Sequence, residues 1–141
     1  MKIKLYNDKI LVYIYDKKYL NNDIKTMIIN IIEDMDKYYN INIKKSYEIK
    51  LYQNKYYGMI LDLKYIEKDN YDIINIKLKV LKDTLFLYQV DDPLDYLDND
   101  VYYYKNKFYI NGKNISLQLL ENSILIYGKD AYKIIGSAIK I

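Results

Sequence analysis

Between residues 24 and 39 the apolar side chains stand at Ile24, Met27, Ile28, Ile31, Ile32 and Met35, followed by Tyr38 or Tyr39. That i, i+3, i+4, i+7 spacing is the period of an amphipathic helix, and its apolar stripe has to be covered by other elements. Asn22 or Asp23 can cap the free amides at its start. Asp23 also suits the positive end of the helix dipole and Lys37 the negative end. The fold is therefore constrained to supply an apolar surface about as long as this helix.

Strands supply it. Lys2 to Tyr6 and Lys9 to Tyr15 alternate with period two around the turn dipeptide Asn7-Asp8, which predicts a hairpin with Ile3, Leu5, Ile10, Val12 and Ile14 on one face. Tyr47, Ile49 and Leu51 precede a Gln53-Asn54-Lys55 turn, and Tyr57, Met59, Leu61, Leu63 and Tyr65 follow it, which predicts a second. Ile74, Ile76, Leu78 and Val80, then Lys82-Asp83, then the nearly continuous apolar run Thr84 to Val90 predict a third. Val101 to Tyr104 and Lys107 to Ile110 flank Lys105-Asn106, and Asn111-Gly112 is the strongest two-residue hairpin signal in the chain.

For residues 116–127, the spacing of Leu117, Leu120, Ile124 and Tyr127 favours a helix capped by Ser116 and ended by Gly128 over a strand pair turning at Glu121-Asn122. Together these segments predict an α+β fold: antiparallel β-hairpins forming a sheet, one long amphipathic helix packed on it, and a second, C-terminal helix. A length of 141 residues fits one domain, 1–141. The candidate sub-boundary lies near 91–100, where Pro93 lacks an amide donor and breaks the ladder. There Leu94 and Leu97 are expected to pack back on the body while the aspartates face water.

Composition narrows the chemistry. The chain has no Cys, His, Trp or Arg; all 22 basic residues are Lys, and the bias toward Ile, Lys, Asn, Asp and Tyr matches codons rich in A and T. Thiolate nucleophiles, disulfides, thiolate metal sites and the imidazole acid/base are thereby excluded. Ser46, Ser116, Ser123 and Ser137 have no His to activate them, and Gly58, Gly112, Gly128 and Gly136 form neither a GxGxxG nor a GxxxxGK[ST] loop. The expectation is a chain that is not an enzyme and takes no cofactor and no metal. No apolar run approaches the ~18 residues that span a bilayer, and no signal peptide is evident, so no membrane association and a cytoplasmic location are expected.

The net charge of +3 conceals a local asymmetry: residues 91–100 hold five Asp and no Lys, while 101–141 hold six Lys against two acids. Asp91, Asp92, Asp95, Asp98 and Asp100 lack the Gly and Glu spacing of a calcium loop, so the cluster is read as a solvated loop or an acidic docking patch, with Asp92, Asp95 and Asp98 at its centre. The other distinctive resource is tyrosine, 20 in all. Tyr102, Tyr103, Tyr104, Lys105 and Tyr109 are the candidate partner-binding residues, because a tyrosine ring buries area while its hydroxyl keeps a polar partner, and an edge strand near Val101 to Ile110 could pair with an incoming segment. The partner expected is another protein. The alternative is a single-stranded nucleic-acid binder that uses Tyr102 to Tyr104 with Lys105 and Lys107, and Tyr56-Tyr57 with Lys55, to stack bases and neutralise phosphates.

The opening MKIKLYNDKILVYI, the helix end IIEDMDKYYN and the hairpin SYEIKLYQNKYYGMILDL resemble the N-terminal domain of MecA-type adaptors, which bring substrates to Clp ATPases. VYYYKNKFYI and LLENSILIYG resemble the aromatic hairpin and leucine-rich helix of that family's ATPase-binding domain. The resemblance implies an adaptor or regulatory protein. The chain lacks that family's acidic linker, and no functional residue is carried over.

Overall fold

The computed structural model describes residues 1–20, 23–43, 47–56, 58–65 and 77–141. It has the α+β content expected, arranged as two compact units: Met1–Leu51 with Gly58–Val80, and Tyr52–Tyr57 with Leu81–Ile141. Residues 91–100 lie inside the second unit.

In the first unit, β1 (Lys2–Leu5) and β2 (Lys9–Ile14) form the predicted hairpin, with Ile3 opposite Val12 and Leu5 opposite Ile10. β3 (Tyr47–Gln53), β4 (Met59–Tyr65) and β5 (Lys77–Leu81) complete a sheet of order β1-β2-β4-β3-β5. α1 (Ile24–Tyr39) covers one face. Its Met27, Ile28, Ile31 and Met35 are buried against Val12, Ile14, Ile49, Leu51, Met59, Leu61 and Leu63, while Ile24 and Ile32 sit half-buried at the margin of the stripe. Asp23 is the cap: its carboxylate accepts from the Lys25 amide at 3.1 Å and the Thr26 hydroxyl at 2.8 Å. Asn40 ends the helix in the left-handed region (φ 58°), a conformation asparagine tolerates better than most residues. Beneath the helix, the Tyr19 hydroxyl donates to Asp34 at 2.6 Å; burial and that carboxylate hold the phenol well above its usual range.

The second unit is built on β6 (Phe86–Val90), β7 (Asp100–Tyr104), β8 (Lys107–Asn111), β9 (Ile124–Tyr127) and β10 (Ile139–Lys140), in the order β10-β7-β8-β6-β9. α2 (Leu117–Asn122) contacts β6, and α3 (Gly128–Ser137) contacts β6, β7 and β9.

Four expectations are corrected by the fold. The described part of the run 74–80, from Lys77 on, does not pair with the run 84–90. β5 belongs to the first sheet and β6 to the second, and Ile74 and Ile76 lie outside the described residues. The cause lies at the turn: Asp83 takes a positive φ of 54°, the Thr84 amide donates to the Gln53 carbonyl at 2.8 Å, and Asn54 returns a bond to the Thr84 carbonyl at 2.9 Å. The chain leaving β5 is thus tied to the β3 turn rather than folded back on β5.

Asn111-Gly112 is not a hairpin turn. The tight turn is Lys105-Asn106, both at positive φ (46° and 63°), as a type I′ connection between β7 and β8 requires. Gly112 serves another purpose: it is buried, and a Cβ there would collide with Ile115.

Residues 116–127 are a short helix followed by a single strand, so neither the full-length helix nor the strand pair turning at Glu121-Asn122 forms. Ser116 caps α2 through a 3.1 Å bond from the Leu119 amide, but the buried pair is Leu119 and Leu120, with Leu117 and Ile124 exposed. Gly128, at φ 63°, begins α3 instead of ending a helix.

Lastly, the single turn at Leu94–Tyr96 buries Tyr96 and, beyond it, Asn99, not Leu94 and Leu97.

Candidate interaction surface

The three consecutive tyrosines of β7 are divided by the pleat, since alternate residues of a strand face opposite sides of the sheet. Tyr102 and Tyr104 are half-buried beside Leu87, Tyr109 and the α3 residues Ala131, Ile134 and Ile135. Tyr109 is 5% exposed and belongs to that core. Tyr103 lies on the other face, its ring 5.3 Å from Phe108 and its hydroxyl donating to Asn106 at 2.8 Å. Lys105 is exposed in the turn, its ammonium 5.2 Å from the Tyr104 ring centre.

Nor is this hairpin an edge, and that expectation is corrected. β8 lies between β7 and β6, and β10 pairs with β7, placing Ile139 opposite Tyr103 and Lys140 opposite Tyr102. Lys140 reaches Asp100 at 3.6 Å, and the Ile141 amide donates to the Val101 carbonyl at 2.9 Å. Sequence spacing misses β10, because two residues carry no periodicity.

The aspartates gather around leucines that face outward, against the expectation from sequence. Leu94, Leu97 and Leu117 are 68%, 59% and 62% exposed, and Asp91, Asp92, Asp95 and Asp98 are exposed among and beside the first two. Two contacts hold this segment against the start of α2. Gln118 donates to Asp95 at 3.4 Å. The buried Asn99 accepts from the Lys113 and Asn114 amides, both at 2.9 Å, and donates to the Asn114 carbonyl at 3.2 Å. Asp92 fixes the local turn by accepting from the Leu94 amide at 3.0 Å, and Asp98 accepts from Asn99 at 3.3 Å. The result is a set of exposed leucines, Leu94 and Leu97 among the aspartates and Leu117 next to the Gln118 that reaches Asp95. No periodicity distinguishes an outward leucine in a three-residue turn, so sequence offers no signal for it. Among the described residues no three carboxylates converge as metal ligands would, and no helix is long and apolar enough to cross a membrane.

A second charged surface lies on the face of the first sheet opposite α1. Alternation places Lys2, Lys4, Lys9, Lys50 and Lys64 there with Glu48 and Asp62, Lys9 pairing directly with Lys64. Burial pushes the Asp62 carboxyl up, an effect opposed by Lys9, Lys50 and Lys64 and reinforced by Glu48.

No protein-family model, curated protein or solved structure matches the chain.

Proposed function

We propose that the chain is a non-catalytic protein-binding module, an adaptor or regulator, that docks its partner on the leucine and aspartate surface of the second unit. The observation that carries this is the simultaneous exposure of Leu94, Leu97 and Leu117 on segments joined by Asn99 and Gln118. Exposed large apolar side chains rimmed by polar residues are a usual mark of a protein interface. The partner fitted to it bears apolar residues flanked by lysine or arginine, with Asp92, Asp95 and Asp98 setting the rate of encounter and its salt dependence more than the final affinity. The resemblance to MecA-type adaptors points to the same role. The tyrosines contribute less than their number suggests: Tyr109 is core, Tyr102 and Tyr104 pack beside α3, and Tyr103 remains the one ring of the set on the other face.

The test is cross-linked affinity capture from the native cell with wild type, a Leu94→Ser/Leu97→Ser variant and an Asp92→Asn/Asp95→Asn/Asp98→Asn variant. The leucine variant should lose the captured partner at unchanged circular dichroism, and the aspartate variant should bind with weaker salt dependence. A partner retained by the leucine variant refutes the assignment.

The single-strand nucleic-acid reading draws its support from the lysine face of the first sheet rather than from Lys105 and Tyr103. A gel shift on mixed single-stranded oligonucleotides, lost in Lys4→Gln/Lys9→Gln/Lys64→Gln and steeply weakened by salt, would favour it over the protein-binding reading.

A further inference from the structure

Asn111-Gly112 is the one Asn-Gly dipeptide of the chain, and the fold gives it no turn to make. Asn111 ends β8, directly opposite Asp100 at the start of β7, and is half-buried. Gly112 is fixed by packing rather than by its dihedrals: its φ is not positive, and a Cβ there would overlap the Ile115 side chain. The two residues after it are held by Asn99, which accepts from the Lys113 and Asn114 amides and donates to the Asn114 carbonyl. Asp100, the neighbour of Asn99, has the Lys140 ammonium at 3.6 Å.

We propose that Asn111 is a deamidation site held closed by Asn99, and that its conversion to an acid loosens the 91–100 segment. Deamidation begins when the Gly112 backbone nitrogen attacks Asn111 Cγ: the new C–N bond forms, the Cγ–Nδ2 bond breaks, and Nδ2 leaves as ammonia with the proton of the attacking amide. Water then opens the five-membered imide to aspartate or isoaspartate, so no oxidant or reductant is consumed. Glycine is the residue best suited to follow, since no side chain shields the attacking nitrogen. Ring closure needs that nitrogen turned toward the asparagine side chain, and the extended backbone of β8 turns it away. While Asn99 pins residues 113 and 114, Gly112 is kept from swinging round; releasing them opens the route. The product gives the site its consequence. A carboxylate at 111 stands opposite Asp100 in the β7–β8 pair, where like charges directly opposite oppose pairing, and Lys140 offers one cation to two acids. Isoaspartate also inserts a methylene carbon into the backbone and disturbs the register there. Either product works against the strand ends that position Asn99, so conversion is one-way and frees the segment bearing Leu94 and Leu97.

The inference does not depend on what docks at the leucines. The full chain is aged at mildly alkaline pH, folded and in urea, and conversion of Asn111 is read by peptide mass spectrometry and by enzymatic methylation of isoaspartate. Asn111 should convert roughly tenfold or more slowly in the folded chain than in urea, and Asn99→Ala should remove most of that protection. Because Asn99→Ala costs stability, Asn111→Asp is the second variant. Its amide exchange at Lys113 and Asn114 should quicken by roughly tenfold, while Asn111→Ser leaves exchange near wild type. Equal rates in the folded and urea-unfolded chain, a folded Asn99→Ala that deamidates no faster than wild type, or exchange at Lys113 and Asn114 unmoved by Asn111→Asp would each overturn the proposal.

Discussion

Replacing Asn99 by alanine should destabilise the chain by about 3 kcal/mol, because this side chain is the joint on which the acidic leucine segment hangs. Asn99 is 8% exposed, and its Oδ1 takes the amides of both Lys113 and Asn114 at 2.9 Å while its Nδ2 donates to the Asn114 carbonyl at 3.2 Å. Alanine removes these three bonds to the 113–114 backbone together with the 3.3 Å bond to the exposed Asp98, and leaves two backbone donors without a partner. Each stranded group costs about 1–3 kcal/mol when buried, but Lys113 and Asn114 are exposed and water can reach their amides, so the low end of about 1 kcal/mol per bond applies. Urea unfolding followed by tyrosine fluorescence should place the alanine midpoint roughly 1 to 2 M below wild type. Hydrogen exchange should lose protection at the Lys113 and Asn114 amides in the alanine variant. An alanine variant within about 0.5 kcal/mol of wild type, with both amides still protected, would refute the reasoning, since the segment would then be held by something other than Asn99.

Asp62→Asn should raise stability at neutral pH and leave it unchanged in strong acid: burial raises the carboxyl pKa in the folded state, so ionising it opposes folding increasingly as pH climbs through and beyond the usual carboxylate range. Urea titrations of both proteins across that range check the sign. Tyr19→Phe should cost about 1 kcal/mol at neutral pH through loss of the bond to Asp34. It should also flatten the alkaline limb of the stability curve, because a phenol raised in the folded state contributes stability below its unfolded pKa of about 10 that disappears as pH rises toward the folded value.

The candidate site is half legible in the sequence. The aspartates are exposed because a carboxylate cannot be buried unpaired, a property of the residue that sequence reports directly. The same kind of reasoning assigns Leu94 and Leu97 inward, since apolar residues usually are, yet the turn has room for only one anchor and Tyr96 occupies it. Which of several apolar side chains wins such a position depends on the shape of the body beneath.

The sequence by itself determined the features that rest on local period and local chemistry. The stripe from Ile24 to Met35 made α1, Asp23 capped it, and the alternation around Asn7-Asp8 set the register of β1 and β2. In each case the interactions that decide the outcome lie within a few residues, or one turn, of each other. The tertiary structure alone decided which strands share a sheet. β5 and β6 read as a hairpin, but the Thr84 amide is held by Gln53, far back in the chain, and that bond sends them into different sheets. It also decided which strands are edges: the β7–β8 hairpin is closed by β10, while β9 carries the uncharged edge. Edge and interior strands of half-buried sheets have the same alternating pattern, so the difference lies in neighbours brought from elsewhere in the chain.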